Sequence, residues 1–280
     1  MLLALLCALV ANLGYGFGTV LQATGARRAA TAPHLDVMLF ARLGRQLPYL
    51  AGLALDAVGF VASIVALRTL PLFVVQAAIA GSIGVTALTA VFVFGFRLRR
   101  SDMVAIAVLL GGLVLLGASA RGQHAAHLSH TGRWLLLLGV VVVAGGGVVA
   151  ARMKDPKGGI GLAACAGLGF TGTAIAARTL HVPRSAWHLA FEPVAIALVL
   201  YGICGMLMFA SALQRGSVTA TSAVMFAVET IVPSIVGLAL LGDHTRPHFE
   251  VVAAVGFVCT VGASLALARY TEAGVASLEP

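Results

Sequence analysis

Two carboxylic acids near the middle of long apolar runs are the residues of this chain best placed to do chemistry. Asp56 lies in the run over residues 48–68, and Glu229 lies in the run over 217–241. No lysine or arginine lies near the middle of either run. A carboxylate in such surroundings must be protonated, hydrated or paired with a cation, because a bare charge is costly there. The pattern predicts a proton or cation site, with a neutral acid bonded to a neighbouring helix as the alternative.

Four uncharged polar side chains accompany the two acids. Asn12, Tyr15 and Gln22 lie near one face of the first apolar run if that run is helical, and Gln76 lies in the third run. Hydrogen-bonding groups on one helix face suit the lining of a polar path, although hydrogen bonds between helices are the open alternative. We take these four residues, together with the two acids, as candidate substrate or coupling-ion residues.

Glycines interrupt two of the apolar runs in a similar way. Glycine-interrupted spans in corresponding positions point toward a substrate path, whereas close packing of helices through small residues is the equal alternative. The residues concerned are Gly14, Gly16 and Gly18 in the first run, and Gly167, Gly169 and Gly172 in the run over 158–180.

Metal, nucleophile and phosphate chemistry have weaker support. His124, His127 and His130 are evenly spaced, which suits transition-metal binding or acid sensing but is more typical of a polar linker. The four cysteines are far apart within apolar runs and predict neither a disulfide nor a zinc site. P-loop, GxSxG and HExxH motifs are absent from the sequence. We therefore expect no catalytic residues, no metal site, no cofactor and no enzyme activity.

The elements that carry these residues must lie in a membrane. Sixty per cent of the residues are hydrophobic and 10% are charged, whereas a soluble domain has roughly 25% charged residues. Mean hydropathy is +1.02. The net charge of +8 comes from basic residues that fall between apolar runs, so it indicates membrane topology rather than nucleic-acid binding.

Nine segments are long and apolar enough to span a bilayer. Residues 34–47 are an open tenth, because their charges are too many for a lipid-facing span. The first segment lacks the basic start of a signal peptide, so we expect it to be a retained helix. The nine segments are 1–25, 48–68, 71–95, 102–120, 133–151, 158–180, 191–214, 217–241 and 248–268.

Basic residues predict how the chain is oriented in the membrane. With nine spans, one set of connections carries twelve basic residues and the other carries six. The richer side is expected to be cytoplasmic, which places the N-terminus outside and the C-terminus inside. On the outer side, we expect Arg178 and Arg184 to meet lipid headgroups or water.

The two ends of the chain repeat one another. Residues 111–119 read GGLVLLGAS and residues 256–264 read GFVCTVGAS, while the GYGF sequence of 14–17 has an echo in the GLGF sequence of 167–170. Spans 1–4 match spans 6–9, so equivalent segments are five places apart in span order and cross the membrane in opposite directions. The sequence predicts an all-α membrane bundle of two inverted repeats, 1–120 and 158–280, linked by 121–157.

The second repeat resembles the EamA-like signature of the drug/metabolite transporter superfamily. In that signature a mid-helix glutamate near a proline lies fourteen residues before an acidic residue that follows glycine, as Glu229 and Asp243 do here. Pro233 lies four residues after the glutamate rather than beside it. The chain is also similar to the NIPA-like magnesium transporter branch in its nine spans, with Phe60 where that branch has glutamate and Asp56 as the nearest acid.

The resemblance implies a secondary transporter that moves a small metabolite, drug or cation by alternating access. A NIPA-like magnesium or divalent-cation transporter is one alternative, and a non-transporting membrane scaffold or accessory subunit is another. The expected partners are the substrate and the lipid bilayer, without nucleic acid, and a homodimer is left open. The expected location is the plasma membrane.

Overall fold

The computed structural model of the chain describes residues 1–29, 46–94, 100–122, 128–155, 157–180, 191–215 and 218–276. These residues form ten α-helices and no β-sheet. The helices are α1 (Leu2–Ala29), α2 (Leu47–Leu67), α3 (Leu72–Ala80), α4 (Ser82–Phe94), α5 (Arg100–Ser119), α6 (His130–Ala151), α7 (Lys157–Thr179), α8 (Pro193–Arg215), α9 (Val218–Leu240) and α10 (Glu250–Ala276).

Nine spans in the described parts of the chain are long and apolar enough to cross a membrane. All nine predicted spans are confirmed, with ends that differ by only a few residues. Their outward surfaces carry many large apolar side chains, such as Val141 and Val142 of α6 at 65% and 69% exposure. The chain is therefore an all-α, multi-pass membrane protein. The open tenth segment, 34–47, lies almost wholly outside the described residues.

The third span, which is confirmed as a span, contains a local interruption of its helix. It consists of α3 and α4, which meet at Gly81. At this junction the Ala78 carbonyl accepts a hydrogen bond of 2.6 Å from Asn12 Nδ2 of α1. A side-chain donor thus serves a carbonyl beside the interruption, as buried backbone groups require.

Packing within each half follows the same plan. In the first half α1 packs most extensively against α2, and in the second half the equivalent α7 packs most extensively against α8. Across the halves, α5 packs along α10. There the backbones of Gly112 and Gly256 meet reciprocally, since a methyl group on either would lie 2.8 or 2.9 Å from the carbonyl oxygen of the other. This reciprocity supports an internal two-fold relationship.

The interrupting glycines are close-packing positions. Gly18 of α1 lies against α2, and Gly169 of α7 lies against α8. Gly16 lies against α4, and Gly167 lies against α9. By these contacts, Gly16 and Gly167 are the equivalent glycines. The sequence suggested instead that Gly14, two residues earlier, is equivalent to Gly167. Each glycine lets another helix backbone approach closely, which favours the packing alternative over a lined path.

The two ends of the bundle differ in what they hold. At one end, here called the Met1 side, Arg246 contacts the Met1 sulfur, and Ala120 pairs with Thr245. At the opposite end, called the Arg215 side, Arg215 binds the carbonyls of Ala151 and Met153 and the carboxylate of Asp155. The Met1 side joins the first and second repeats, whereas these Arg215 contacts tie the second repeat to the linking segment.

Candidate functional site

The α1–α2 interface holds the first predicted acid. Gln22 of α1 donates a 2.6 Å hydrogen bond from Nε2 to Oδ2 of Asp56, which lies near the middle of α2. The other carboxyl oxygen, Oδ1, is buried and has no hydrogen-bond partner. Gly18 lies directly beside this oxygen, so the absence of a side chain at residue 18 makes room for the carboxyl group. This contact brings together two of the candidate residues, and their role in a substrate or ion site stays a prediction.

Tyr15 of α1 lies near both predicted acids. Its ring packs over Gly59 of α2, and Ser63 is a hydrogen-bonding neighbour of its hydroxyl. The carboxyl groups of Glu229 and Asp56 both act electrostatically on that hydroxyl. Tyr15 therefore has a carboxyl group of each repeat in its neighbourhood.

Glu229 contributes two polar groups that the helix does not satisfy. It lies half-buried near the middle of α9, and within the described part of the chain no side chain donates a hydrogen bond to its carboxylate. Pro233 stands four residues later in the same helix. Because proline has no N–H, the Glu229 main-chain carbonyl loses its usual helical donor. A carboxylate and a carbonyl oxygen thus lie together at one position of the span.

Five residues form what we call the central polar cluster: Tyr15, Gln22, Asp56, Ser63 and Glu229. Helices α1 and α2 of the first repeat supply four of them, and α9 of the second repeat supplies the fifth. The cluster offers carboxylate oxygens and a phenol but no guanidinium or amine. Such a set can bind a proton or a cation, and it gives no electrostatic support to an anion.

The other two candidates, Asn12 and Gln76, are not part of the central polar cluster. Asn12 is 5% exposed, and its side-chain amide donates a hydrogen bond to the Ala78 carbonyl at the interruption between α3 and α4. This bond between helices is the alternative role that the sequence left open. Gln76 is 3% exposed within α3, and its place in the site stays a prediction.

A buried ion pair on the Met1 side was not predicted from the sequence. Arg178 Nη2 lies 2.9 Å from Asp243 Oδ1, and the two side chains are 1% and 0% exposed. Arg178 also donates to the Leu67 carbonyl at 2.6 Å, and Asp243 Oδ2 accepts from the Leu72 N–H at 2.6 Å. The expectation that Arg178 meets headgroups or water is therefore wrong, because Asp243 and backbone groups surround it. Arg184 lies outside the described residues.

Local backbone geometry aims Asp243 inward. Gly242 follows the end of α9 with φ of +70°, a left-handed conformation that glycine adopts without a steric penalty. The chain then turns back, and the Asp243 N–H donates to the Gly237 carbonyl at 2.9 Å. The glycine–acid pair was visible in the sequence as part of the EamA-like resemblance, and it was the available signal for this contact.

A cavity of about 710 Å³ lies between α9 and α10, near the Met1 side. Its walls include Phe73, Ser234, Ile235, Phe257 and, at the polar end, Asp243. None of the six predicted site residues lines it. We place the candidate site at the central polar cluster rather than in this cavity, because the cluster holds the acids without full hydrogen bonding.

Histidine clusters contribute nothing to the site as described. Two of the three evenly spaced histidines, His124 and His127, lie outside the described residues. The residues that the structure describes contain no group of three metal-ligating side chains. No protein-family model, curated protein or solved structure matches the chain, so its function must be argued from its own residues.

Proposed function

We propose that this protein is a secondary transporter of the drug/metabolite transporter type, which moves a small organic or cationic solute across the plasma membrane. The observation that carries the proposal is Glu229, a mid-span carboxylate with no donor in the described part of the chain and with Pro233 one helical turn away. The proposed orientation has the N-terminus outside and the C-terminus in the cytoplasm, as the distribution of basic residues predicts.

The energetics of an incompletely bonded acid favour a role in binding. A buried carboxyl oxygen without a partner costs free energy, and Asp56 Oδ1 is such an oxygen. A proton or a cationic group would supply the missing partner at Asp56 or Glu229. Alternate occupancy by a proton and a substrate would couple the two movements, because the same carboxylate cannot hold both at once.

The arrangement of helices supports alternating access. The central polar cluster takes residues from both repeats, so a relative movement of the repeats would change the surroundings of its acids. The reciprocal contact of Gly112 with Gly256 suits a pivot, since close backbone approach fixes one crossing while other helices move. In this mechanism the Tyr15 hydroxyl would stay close to both acids.

The test is a transport assay in proteoliposomes that contain the pH indicator pyranine. Tetraphenylphosphonium, ethidium, an amino-acid mixture and Mg²⁺ would be added separately under an imposed pH gradient. We expect at least one solute to move protons in vesicles that contain the protein, and Glu229→Gln to abolish this movement. Glu250→Gln, which changes an exposed acid at the start of α10, is the matched control.

The same assay separates the competing functions. Proton-independent entry of Mg²⁺ would favour the divalent-cation alternative over an organic solute. Absence of transport for every solute class, in protein shown to be folded, would favour a scaffold or accessory subunit and would contradict the proposal.

A further inference from the structure

We propose that the Arg178–Asp243 ion pair is the gate that keeps the Met1 side of the bundle closed, and that separation of the pair opens this side. The inference rests on the proposed function, because a gate of this kind belongs to a protein that opens to one side at a time. It concerns a region distinct from the central polar cluster.

The pair holds the two repeats together. Arg178 lies at the end of α7 and binds both Asp243, at 2.9 Å, and the carbonyl of Leu67 at the end of α2. Asp243 accepts in turn from the N–H of Leu72 at the start of α3. Two charged residues of the second repeat thus hold both ends of the turn between α2 and α3 of the first repeat. Loss of the pair would release all of these contacts together.

An apolar layer adjoins the pair through Leu67, whose carbonyl accepts a hydrogen bond from Arg178. We call it the apolar plug, and it consists of Leu67, Leu70, Phe73, Ala77 and Ala174, each of them at most 7% exposed. Four of these residues come from the first repeat and one from the second. Tight apolar packing excludes water, so the ion pair and the plug together close the Met1 side.

A buried ion pair suits a reversible closure. Both charges lose their water in the closed form, and Arg178 Nε has no hydrogen-bond partner there. Desolvation offsets much of the attraction between buried charges. In an open form both charges regain water, so the open and closed forms can have similar free energies. An apolar contact of the same area would lack this compensation and would favour the closed form.

Space for the movement exists beside the gate. Asp243 lines the cavity of about 710 Å³ between α9 and α10, so the turn that carries it is not packed on every side. By contrast, the crossing of α5 with α10 brings the Gly112 and Gly256 backbones into direct contact. The geometry favours displacement of the 241–249 turn while that crossing stays fixed.

The experiment measures access to the apolar plug. Ala174→Cys is introduced into a protein whose four native cysteines have been replaced, and the charged reagent MTSET is applied to intact cells and to inverted vesicles. In the parent, we expect slow labelling from the Met1 side. In Arg178→Ala, the unpaired Asp243 carboxylate draws water into the closure, and labelling should be faster by at least about tenfold.

The matched control breaks another ion pair on the same side. Arg133 and Glu192 lie 3.0 Å apart, with side chains 36% and 22% exposed, and neither belongs to the apolar plug. Arg133→Ala should leave the labelling rate of Ala174→Cys unchanged. An equal acceleration in this control would mean that any charge change on this surface loosens the protein, which would overturn the specific role of Arg178.

A second variant keeps the proposal testable if Arg178→Ala fails to fold. Arg178→Met combined with Asp243→Leu leaves no buried charge, and such replacements are often neutral or stabilising. We expect this double variant to label as slowly as the parent and to lose transport, since an apolar closure does not reopen. Normal transport by the double variant would overturn the gate and leave the pair as a structural contact.

The outcomes also separate the gate from the proposed function. Transport by the parent with unchanged labelling in Arg178→Ala would contradict the gate alone. Faster labelling of Arg178→Ala in a protein that moves no solute would support the opening movement and contradict the transport function.

Discussion

Two regions of this protein hold acidic side chains in apolar surroundings, and they differ in the number of hydrogen bonds that those acids accept. In the Arg178–Asp243 ion pair, each carboxyl oxygen of Asp243 has a donor at 2.6 or 2.9 Å. In the central polar cluster, one oxygen of Asp56 is buried without a partner, and Glu229 has no donor within the described residues. The residue types are alike, so the difference lies in how completely each acid is hydrogen-bonded.

Complete bonding suits a contact that holds elements in place, whereas incomplete bonding suits a site that receives its missing partner from solution. The most deeply buried charges of the described chain are therefore not our candidate binding residues. We expect substitutions in the ion pair to change mainly stability and substitutions in the central polar cluster to change mainly activity.

The largest expected effect on folding comes from breaking the Arg178–Asp243 ion pair, whose carboxylate has a donor on each oxygen. Arg178→Ala should lower the free energy of unfolding by about 3–5 kcal/mol, because it leaves the Asp243 charge buried and unpaired. Asp56→Asn should change it by less than about 1 kcal/mol, since the amide keeps a partner for Gln22 and removes a charge. Reversible unfolding in mixed micelles, followed by far-UV circular dichroism, measures both. Equal losses in the two variants would contradict the distinction between the regions.

A substitution beside Asp56 tests how closely the central polar cluster is packed. In Gly18→Ala the new methyl group would meet Asp56 Oδ1 and lie 3.0 Å from the Gly52 carbonyl oxygen. We expect a loss of about 1–3 kcal/mol in unfolding free energy from overpacking.

Gly117→Ala is the matched control for that substitution. Nothing lies within 4 Å of the added methyl group at Gly117, which lies in the last turn of the apolar span α5. Its unfolding free energy should stay within about 0.5 kcal/mol of the parent value. If Gly18→Ala is as stable as this control, the α1–α2 interface is looser than described.

The second acid should affect transport rather than stability. Glu229→Gln should reduce coupled transport by at least about tenfold, which corresponds to the usual range of coupling free energies. The folded protein should persist, because no described donor loses its acceptor. Initial rates of solute uptake, together with a thermal unfolding curve, measure the two quantities. Unchanged uptake with reduced stability would assign Glu229 to the structure.

The smallest expected effect comes from the residue that lies near both acids. Tyr15→Phe removes one hydroxyl and should slow coupled transport about fivefold, since a single hydrogen bond contributes about 1 kcal/mol. The ring contact with Gly59 remains, so stability should change little. Rates measured with and without a pH gradient would show the effect in the coupled mode. Loss of both modes to the same extent would point to binding instead.

Much of the fold could be predicted from local sequence alone. Hydropathy over about 20 residues identified all nine spans, because a helix that crosses lipid must be apolar throughout. The interruption at Gly81 was not predicted, since a single glycine within an apolar run does not reveal where a side chain such as Asn12 will bond. The alignment of the two repeats was also imprecise by two residues, because helix contacts rather than sequence similarity show which glycines are equivalent.

The candidate site was predicted in part for a physical reason. Asp56 and Glu229 stood out because isolated acids in apolar runs are costly. Tyr15 and Gln22 stood out because they lie, with Asn12, near one face of the first run. Arg178 and Asp243 are 65 residues apart, and each lies at the end of a helix. At such positions a charge is usually solvated, so their pairing depends on the tertiary structure rather than on any local pattern.

Our proposal requires the Glu229 carboxyl group to be open to a partner from solution, whereas Arg178 and the Leu72 N–H already hold both oxygens of Asp243. Dicyclohexylcarbodiimide reacts with protonated carboxyl groups in apolar surroundings, and peptide mass spectrometry locates the adducts. We expect an adduct on Glu229 that diminishes as the pH rises and is absent from Glu229→Gln, with none on Asp243. An unmodified Glu229 across the pH range, or preferential modification of Asp243, would contradict it.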